Sequence, residues 1–272
     1  MFAVYVFLNS LAFENHAKTK RIYLVRHAES EENIMYNSLK RTWHNLKNFK
    51  PPSASDMMDG SKVVCALHPS MVDSPVSENG RRQIEQVRSQ LDRDSFFKNI
   101  CDQGRVIVAH SPLMRAKQTC RGLFNCSADN AEFINSNNNN QANGESSISY
   151  VEIECLQELS PLEVISFRYS AALDHRARQF EDWIEAQDGD CTLIVVGHFI
   201  FFRHMLRKNK SYFENCDVYE MDYECPRLNG EAECDSLSDL SGGSIVEDGD
   251  GDCVLPRSWK SMRLVYSFQE SY

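Results

Sequence analysis

No two cysteines in this 272-residue chain fall at a CxxC spacing and none has companion histidines at a zinc spacing, although ten are scattered from Cys65 to Cys253. That pattern excludes a structural zinc site of the usual kind. It reads as free thiols in a reducing compartment rather than as a disulfide framework. No basic tract stands out either. The formal charge is −10, and the excess is concentrated between Glu214 and Asp252, where thirteen acidic residues face a single basic one, Arg227. Outside that tract the charges nearly balance, which argues against nucleic acid as a partner. No apolar run has the roughly 20 residues that a membrane-spanning helix needs. The N-terminal stretch MFAVYVFLNSLAF is too short, and it has no lysine or arginine before Lys18. A targeting signal there is poorly supported, so the expectation is a cytoplasmic protein with no membrane partner.

What is present is an alternation. The runs IYLV (22–25), RVIVA (105–109), VEIE (151–154) and TLIVV (192–196) have the length and β-branched content of strands. Helical stretches separate them at roughly 30–48, 78–98, 113–123, 166–187 and 199–208, with Ser77 as N-cap of the second. The expected fold is therefore α/β, a three-layer sandwich with a mainly parallel central sheet covered by helices on both faces. Residues 1–20 read as an extension and 21–272 as one domain, interrupted by polar, low-complexity insertions at about 127–149 and 224–256. The DGDGD run in the second insertion lacks the glycine and the terminal carboxylate of a calcium loop, so it reads as solvated acid, and no metal is expected.

In such sheets ligands bind beyond the carboxyl ends of the strands. IYLV ends in Arg26 and His27, TLIVV ends through Gly197 in His198, and RVIVA is followed by Arg115 a short turn later. Two arginines and two histidines on one rim would repel one another unless an anion sits among them. Guanidinium forks match the oxygens of a phosphoryl group, and a neutral imidazole, His27, is a competent nucleophile toward phosphorus. Glu158, in ECLQELSP, is the candidate proton donor to the leaving alcohol, with Glu154 and Glu163 as rivals. His110, His175 and His204 read as ordinary polar loop residues.

LVRHAES followed by Asn33, then SPLMRAKQT, LQE and VVGH, in this order, resemble the histidine phosphatase superfamily, also called the phosphoglycerate mutase-like family. The resemblance runs from Arg21 to Tyr223 without the Asn-rich stretch, and DSPVSENGRRQ (73–83) is similar to a further family segment. It implies a histidine phosphatase-like fold. By position it makes His27 the phosphorylated histidine, Arg26, Arg115 and Asn33 phosphate contacts, His198 the second histidine of the core, and Glu158 the proton donor. It implies no metal and no organic cofactor. It also implies that 213–223 is the last core strand, and SMRLVYSF (261–268) is expected to pair with it as a hairpin.

The activity expected is metal-independent hydrolysis of a phosphomonoester, on a small phosphorylated substrate or a phosphoprotein. A mutase-type phosphotransferase is less consistent, because LSPLEVISFRYSAALDHR lacks the YGxLxGxNK stretch of mutases. A non-catalytic phosphate-binding module would usually have lost Arg26, His27, Arg115 or His198, and all four are kept. Two departures from the family pattern are Ala28, where glycine is common, and His110 before SPL. Lys40, Arg41, Trp43 and Lys47, in a long insertion, either roof the pocket or form a solvated helix face.

Overall fold

The computed structural model describes residues 19–51, 53–55, 58, 73–124, 148–159, 163, 169–187, 189–207, 213–225 and 258–269. Its centre is a six-stranded sheet: β1 (Thr19–Arg26), β2 (Arg105–His110), β3 (Ile148–Glu152), β4 (Cys191–Gly197), β5 (Val218–Glu224) and β6 (Trp259–Tyr266), in the order β3-β2-β4-β1-β5-β6. The first four are mutually parallel, and β5 and β6 run antiparallel at one edge. The helices are α1 (Glu31–Lys47), α2 (Glu78–Arg93), α3 (Phe96–Cys101), α4 (Met114–Phe124), α5 (Tyr169–Glu185) and α6 (Phe199–Met205).

The side-chain period of two sorts the strands into two cores. Ile22 and Leu24 of β1 join Leu193 and Val195 against Leu173 and Phe180 of α5 and Phe201 of α6. Tyr23 and Val25 join Ile194 and Val196 against Ile84, Val87 and Leu91 of α2, Phe96 of α3 and Leu123 of α4. Helices therefore cover both faces, as the alternation predicted. Every residue of β4 is buried, which explains its unbroken apolar sequence.

The antiparallel hairpin forms as expected, with Val218 opposite Tyr266 and Tyr223 opposite Trp259. Trp259 is fully buried, and its indole N–H donates to Glu181 at 2.9 Å, which pins the edge strand to α5. Four boundaries move. The third strand is 148–152, three residues earlier than expected, so the insertion ends before Ile148 and Glu154–Leu156 is a 3₁₀ turn. The helix expected over 78–98 is two, broken at Ser95, whose φ of 51° is left-handed. The first described strand begins at Thr19, and the described part of the helix expected over 166–187 is Tyr169–Glu185. The N-terminal apolar stretch and most of both insertions lie outside the described residues.

Candidate active site

The order of strands brings three carboxyl ends together. Arg26 is level with Gly197 across the β1–β4 pair, and His110 is level with Val196 across β2–β4. The chain leaves β1 toward the face of α2, α3 and α4, and leaves β3 toward the face of α5, so a crevice opens where the connections diverge. His27, His198 and Arg115 all lie there, all buried.

His27 is held by its backbone. Its N–H donates to the Gly197 carbonyl at 3.0 Å, and its own carbonyl accepts from the Asn215 side chain at 3.0 Å. Its ring Nδ1 lies 2.7 Å from the Ala28 carbonyl, which can only accept. The ring proton is therefore on Nδ1, and the lone pair is on Nε2. Burial, then Arg115, then Arg26 hold the His27 pKa well below the ordinary histidine range, so the ring is neutral at physiological pH. A neutral ring with a bare Nε2 is a nucleophile.

The His198 ring stands 5.0 Å from that of His27, centroid to centroid. Its Nε2 is 2.8 Å from the Ser111 hydroxyl, which itself accepts from the Leu113 N–H at 3.3 Å. His198 Nδ1 is buried and has no hydrogen-bond partner among the described residues; if the Ser111 hydroxyl donates to Nε2, that Nδ1 carries the proton. Burial, His27 and the two arginines keep His198 neutral as well. A buried donor without an acceptor costs roughly 1–3 kcal/mol. A phosphoryl oxygen would supply the acceptor.

Arg26 donates to the Phe213 carbonyl at 2.6 Å and lies over the Phe199 ring at 5.2 Å, while its Nε has no partner among the described residues. Burial lowers its pKa, opposed by Glu214, Glu158 and Asp217. Arg115 is buried on α4 and forms an ion pair at 3.0 Å with Glu32, on the first turn of α1. Thr119 ties this helix to the histidine loop: its hydroxyl donates to the Arg115 carbonyl at 2.7 Å and accepts from the Ala28 N–H at 2.9 Å.

Glu158 follows the 3₁₀ turn after β3 and accepts from the Leu159 N–H at 3.3 Å. Burial pushes its pKa up to about 7, although Arg115 and the amides of Leu159 and Ile200 pull it down. It is thus a carboxylic acid near neutral pH, within electrostatic reach of both arginines. Its rivals are elsewhere: Glu154 is exposed, and Glu163 is paired with Arg176 at 2.6 Å.

Asn33 closes the N-terminus of α1. Its Oδ1 accepts from the Ser30 N–H at 3.1 Å, closing a capping box at the start of α1, and lies 3.4 Å from Asn215 Nδ2. The expected loop histidines are not on loops. His110 ends β2 and its Nδ1–H donates to the Ser111 carbonyl at 2.9 Å, while His175 lies on α5 and His204 on α6, the last 2.8 Å from Asp174. Lys40, Arg41, Trp43 and Lys47 line an open cavity of about 460 Å³ with His44 and Asn45. At 1.5 Å per residue they lie about 12 to 22 Å along α1 from Glu32.

The sequence reading missed several supports. The segment 73–83 turns out to be a clamp on the histidine loop: Gln83 accepts from the Glu29 N–H at 2.8 Å, Ser77 N–H donates to the Glu29 carbonyl at 2.8 Å, and the Ser77 hydroxyl donates to the Glu29 carboxylate at 2.7 Å. Asp73 accepts from the Met114 N–H at the start of α4. Ser77 caps α2 as predicted. Among the described residues there is no group of three or more side chains able to hold a metal ion, and no helix long and apolar enough to cross a membrane. Among the described residues, Cys101, Cys155, Cys191, Cys216 and Cys225 are free thiols.

No protein-family model matches this chain, and no curated protein does. Solved structures do resemble it. A phosphoglycerate mutase from Bacillus anthracis str. Sterne is 16% identical, with 77% of this chain and 90% of that one covered and a TM-score of 0.42. A phosphoserine phosphatase from Entamoeba histolytica, in complex with 3-phosphoglyceric acid, is 15% identical over 74% of this chain and 90% of that one, with a TM-score of 0.39. YhfR from Bacillus stearothermophilus is 14% identical over 74% and 90%, with a TM-score of 0.41.

Proposed function

We propose that the protein is a member of the histidine phosphatase superfamily that hydrolyses phosphomonoesters without a metal, through a phosphorylated His27. The observation that carries this reading is the His27 tautomer: Nδ1 is spent on the Ala28 carbonyl, Nε2 is left bare, and the ring is neutral beside a buried arginine, Arg115, and a half-buried one, Arg26. In this reading Arg26, Arg115 and the His198 Nδ1–H take the phosphoryl oxygens, and His27 Nε2 attacks phosphorus. As the P–O ester bond breaks, the Glu158 carboxyl gives its proton to the leaving oxygen. Water then attacks the phosphohistidine and loses a proton to the Glu158 carboxylate. The P–N bond breaks, its electron pair returns to Nε2, and inorganic phosphate leaves. Positioning and charge neutralisation do most of the work in phosphoryl transfer, which suits a site made of arginines and imidazoles.

The substrate on this account is a small phosphorylated molecule or a phosphoprotein, in the cytoplasm. The test is p-nitrophenyl phosphate hydrolysis in the presence of a chelator by wild type and His27→Ala. Turnover that the substitution abolishes supports the reading. No wild-type turnover, with phosphate still bound, points instead to a binding module, and interconversion of phosphoglycerates points to a mutase.

A further inference from the structure

The Glu32 carboxylate is 3.0 Å from the Arg115 guanidinium. The arrangement is asymmetric: the Arg115 side chain is 4% exposed, and that of Glu32 is 40% exposed. Glu32 is anchored by its backbone, whose N–H donates to Ser74 at 3.3 Å on the first turn of α1. It also acts on Glu158, where like-charge repulsion adds a small upward push to the pKa of that carboxyl. The charged and titratable groups facing it are Arg115 from α4 and Glu158 from the segment after β3, with Arg26, His27 and His198 deeper in the pocket.

A dianionic phosphoryl group takes over the inner face of Arg115 and leaves Glu32 beside the organic part of the ester. A carboxylate in that place repels a second negative charge on the alcohol and attracts a positive one. We propose that Glu32 is a specificity-determining residue of this pocket, holding Arg115 when the site is empty and restricting it to phosphomonoesters of neutral or cationic alcohols. The proposal rests on the phosphatase reading above and narrows its substrate class. Lys40, Arg41 and Lys47, which would favour extra negative charge, lie about 12 to 22 Å further along α1.

The test uses two probes of similar size whose organic ends carry opposite charges, O-phosphoethanolamine and 2-phosphoglycolate, as competitive inhibitors of p-nitrophenyl phosphate turnover by the full chain. Wild type binds the cationic probe more tightly. In Glu32→Gln the ratio of the two inhibition constants falls by roughly tenfold or more, since one charge at this range is worth about a factor of ten and the two probes shift in opposite directions. Glu32→Asp, which keeps the charge, keeps the preference. An unchanged ratio in Glu32→Gln, or a wild type that prefers phosphoglycolate, overturns the proposal. If wild type does not hydrolyse p-nitrophenyl phosphate, the catalytic reading fails by itself, and the same ratio read by calorimetry still decides the role of Glu32.

Discussion

Gly80 offers a case where two effects of opposite sign compete in one substitution. It lies inside α2, where alanine is favoured over glycine by about 1 kcal/mol. A Cβ at that position, however, would stand 2.2 Å from the Glu29 carbonyl oxygen and 2.6 Å from a Val76 methyl. An ordinary carbon–oxygen contact is about 3.3 Å, so helix or loop must retreat by roughly 1 Å. Such overpacking costs about 1–3 kcal/mol. It also stretches the Ser77–Glu29 and Glu29–Gln83 hydrogen bonds, both 2.8 Å, each worth about 1 kcal/mol. The clash wins, and Gly80→Ala is expected to lose roughly 2 kcal/mol in urea unfolding. Because Glu29 is two residues from His27, the same displacement reaches the nucleophile, and an error of 1 Å there costs about a hundredfold in kcat/KM. Gly122→Ala is the control. Its Cβ would meet the Ile84 side chain at 2.4 Å, within the α2–α4 packing rather than against the histidine loop. It should lose comparable stability with a much smaller loss of activity. A Gly80→Ala protein that is more stable than wild type and fully active would refute the clamp.

Glu158→Gln should slow hydrolysis of alkyl phosphates by about 10²–10⁴-fold and of p-nitrophenyl phosphate far less, since nitrophenolate leaves without a proton; steady-state kinetics on both esters check this. The kcat/KM profile of wild type should fall on the alkaline side as Glu158 loses its proton at about 7, and on the acid side only below the ordinary histidine range, where His27 Nε2 becomes protonated. The alkaline limb should be absent in Glu158→Gln. Stability has its own pH signature from the two imidazoles. Their folded pKa values are lowered, so below about 6.5 the unfolded chain binds protons that the folded one refuses, and stability falls with pH in that window. The slope should be shallower in His27→Ala, as measured by urea midpoints across the window. Ser111→Ala leaves His198 Nε2 without its 2.8 Å partner and frees the ring to change tautomer, so phosphate affinity should drop roughly tenfold by calorimetry.

The central parallel strands were legible because buried strands read as unbroken apolar runs, and the residues that follow them mark the rim of the sheet. Arg26, His27, Arg115 and His198 could be named from that logic and from the quoted motifs, and they do converge. Glu32 could not. It reaches Arg115 only because Ser30 caps α1 and sets the helix phase, so that the first turn faces the pocket. The clamp of Ser77, Gly80 and Gln83 was visible as a motif but not as a mechanism, since its partner is the backbone of Glu29, which has no sequence signal of its own. The break at Ser95 was hidden because the amphipathic pattern of α2 continues into α3, and the backbone reversal falls on a residue without the usual glycine. Asn33 carries a duty the motif does not show: its Oδ1 accepts at the N-terminus of α1.

The claim on which the account depends most is that the phosphoryl group passes through His27. The direct measurement is to mix the enzyme with a phosphomonoester carrying labelled phosphorus, quench in base, digest, and locate the label by mass spectrometry. The account predicts an acid-labile, base-stable phosphate on the peptide containing residue 27, in wild type and in Glu158→Gln, and none in His27→Ala. Turnover with no label on that peptide, or label on another residue, would contradict it.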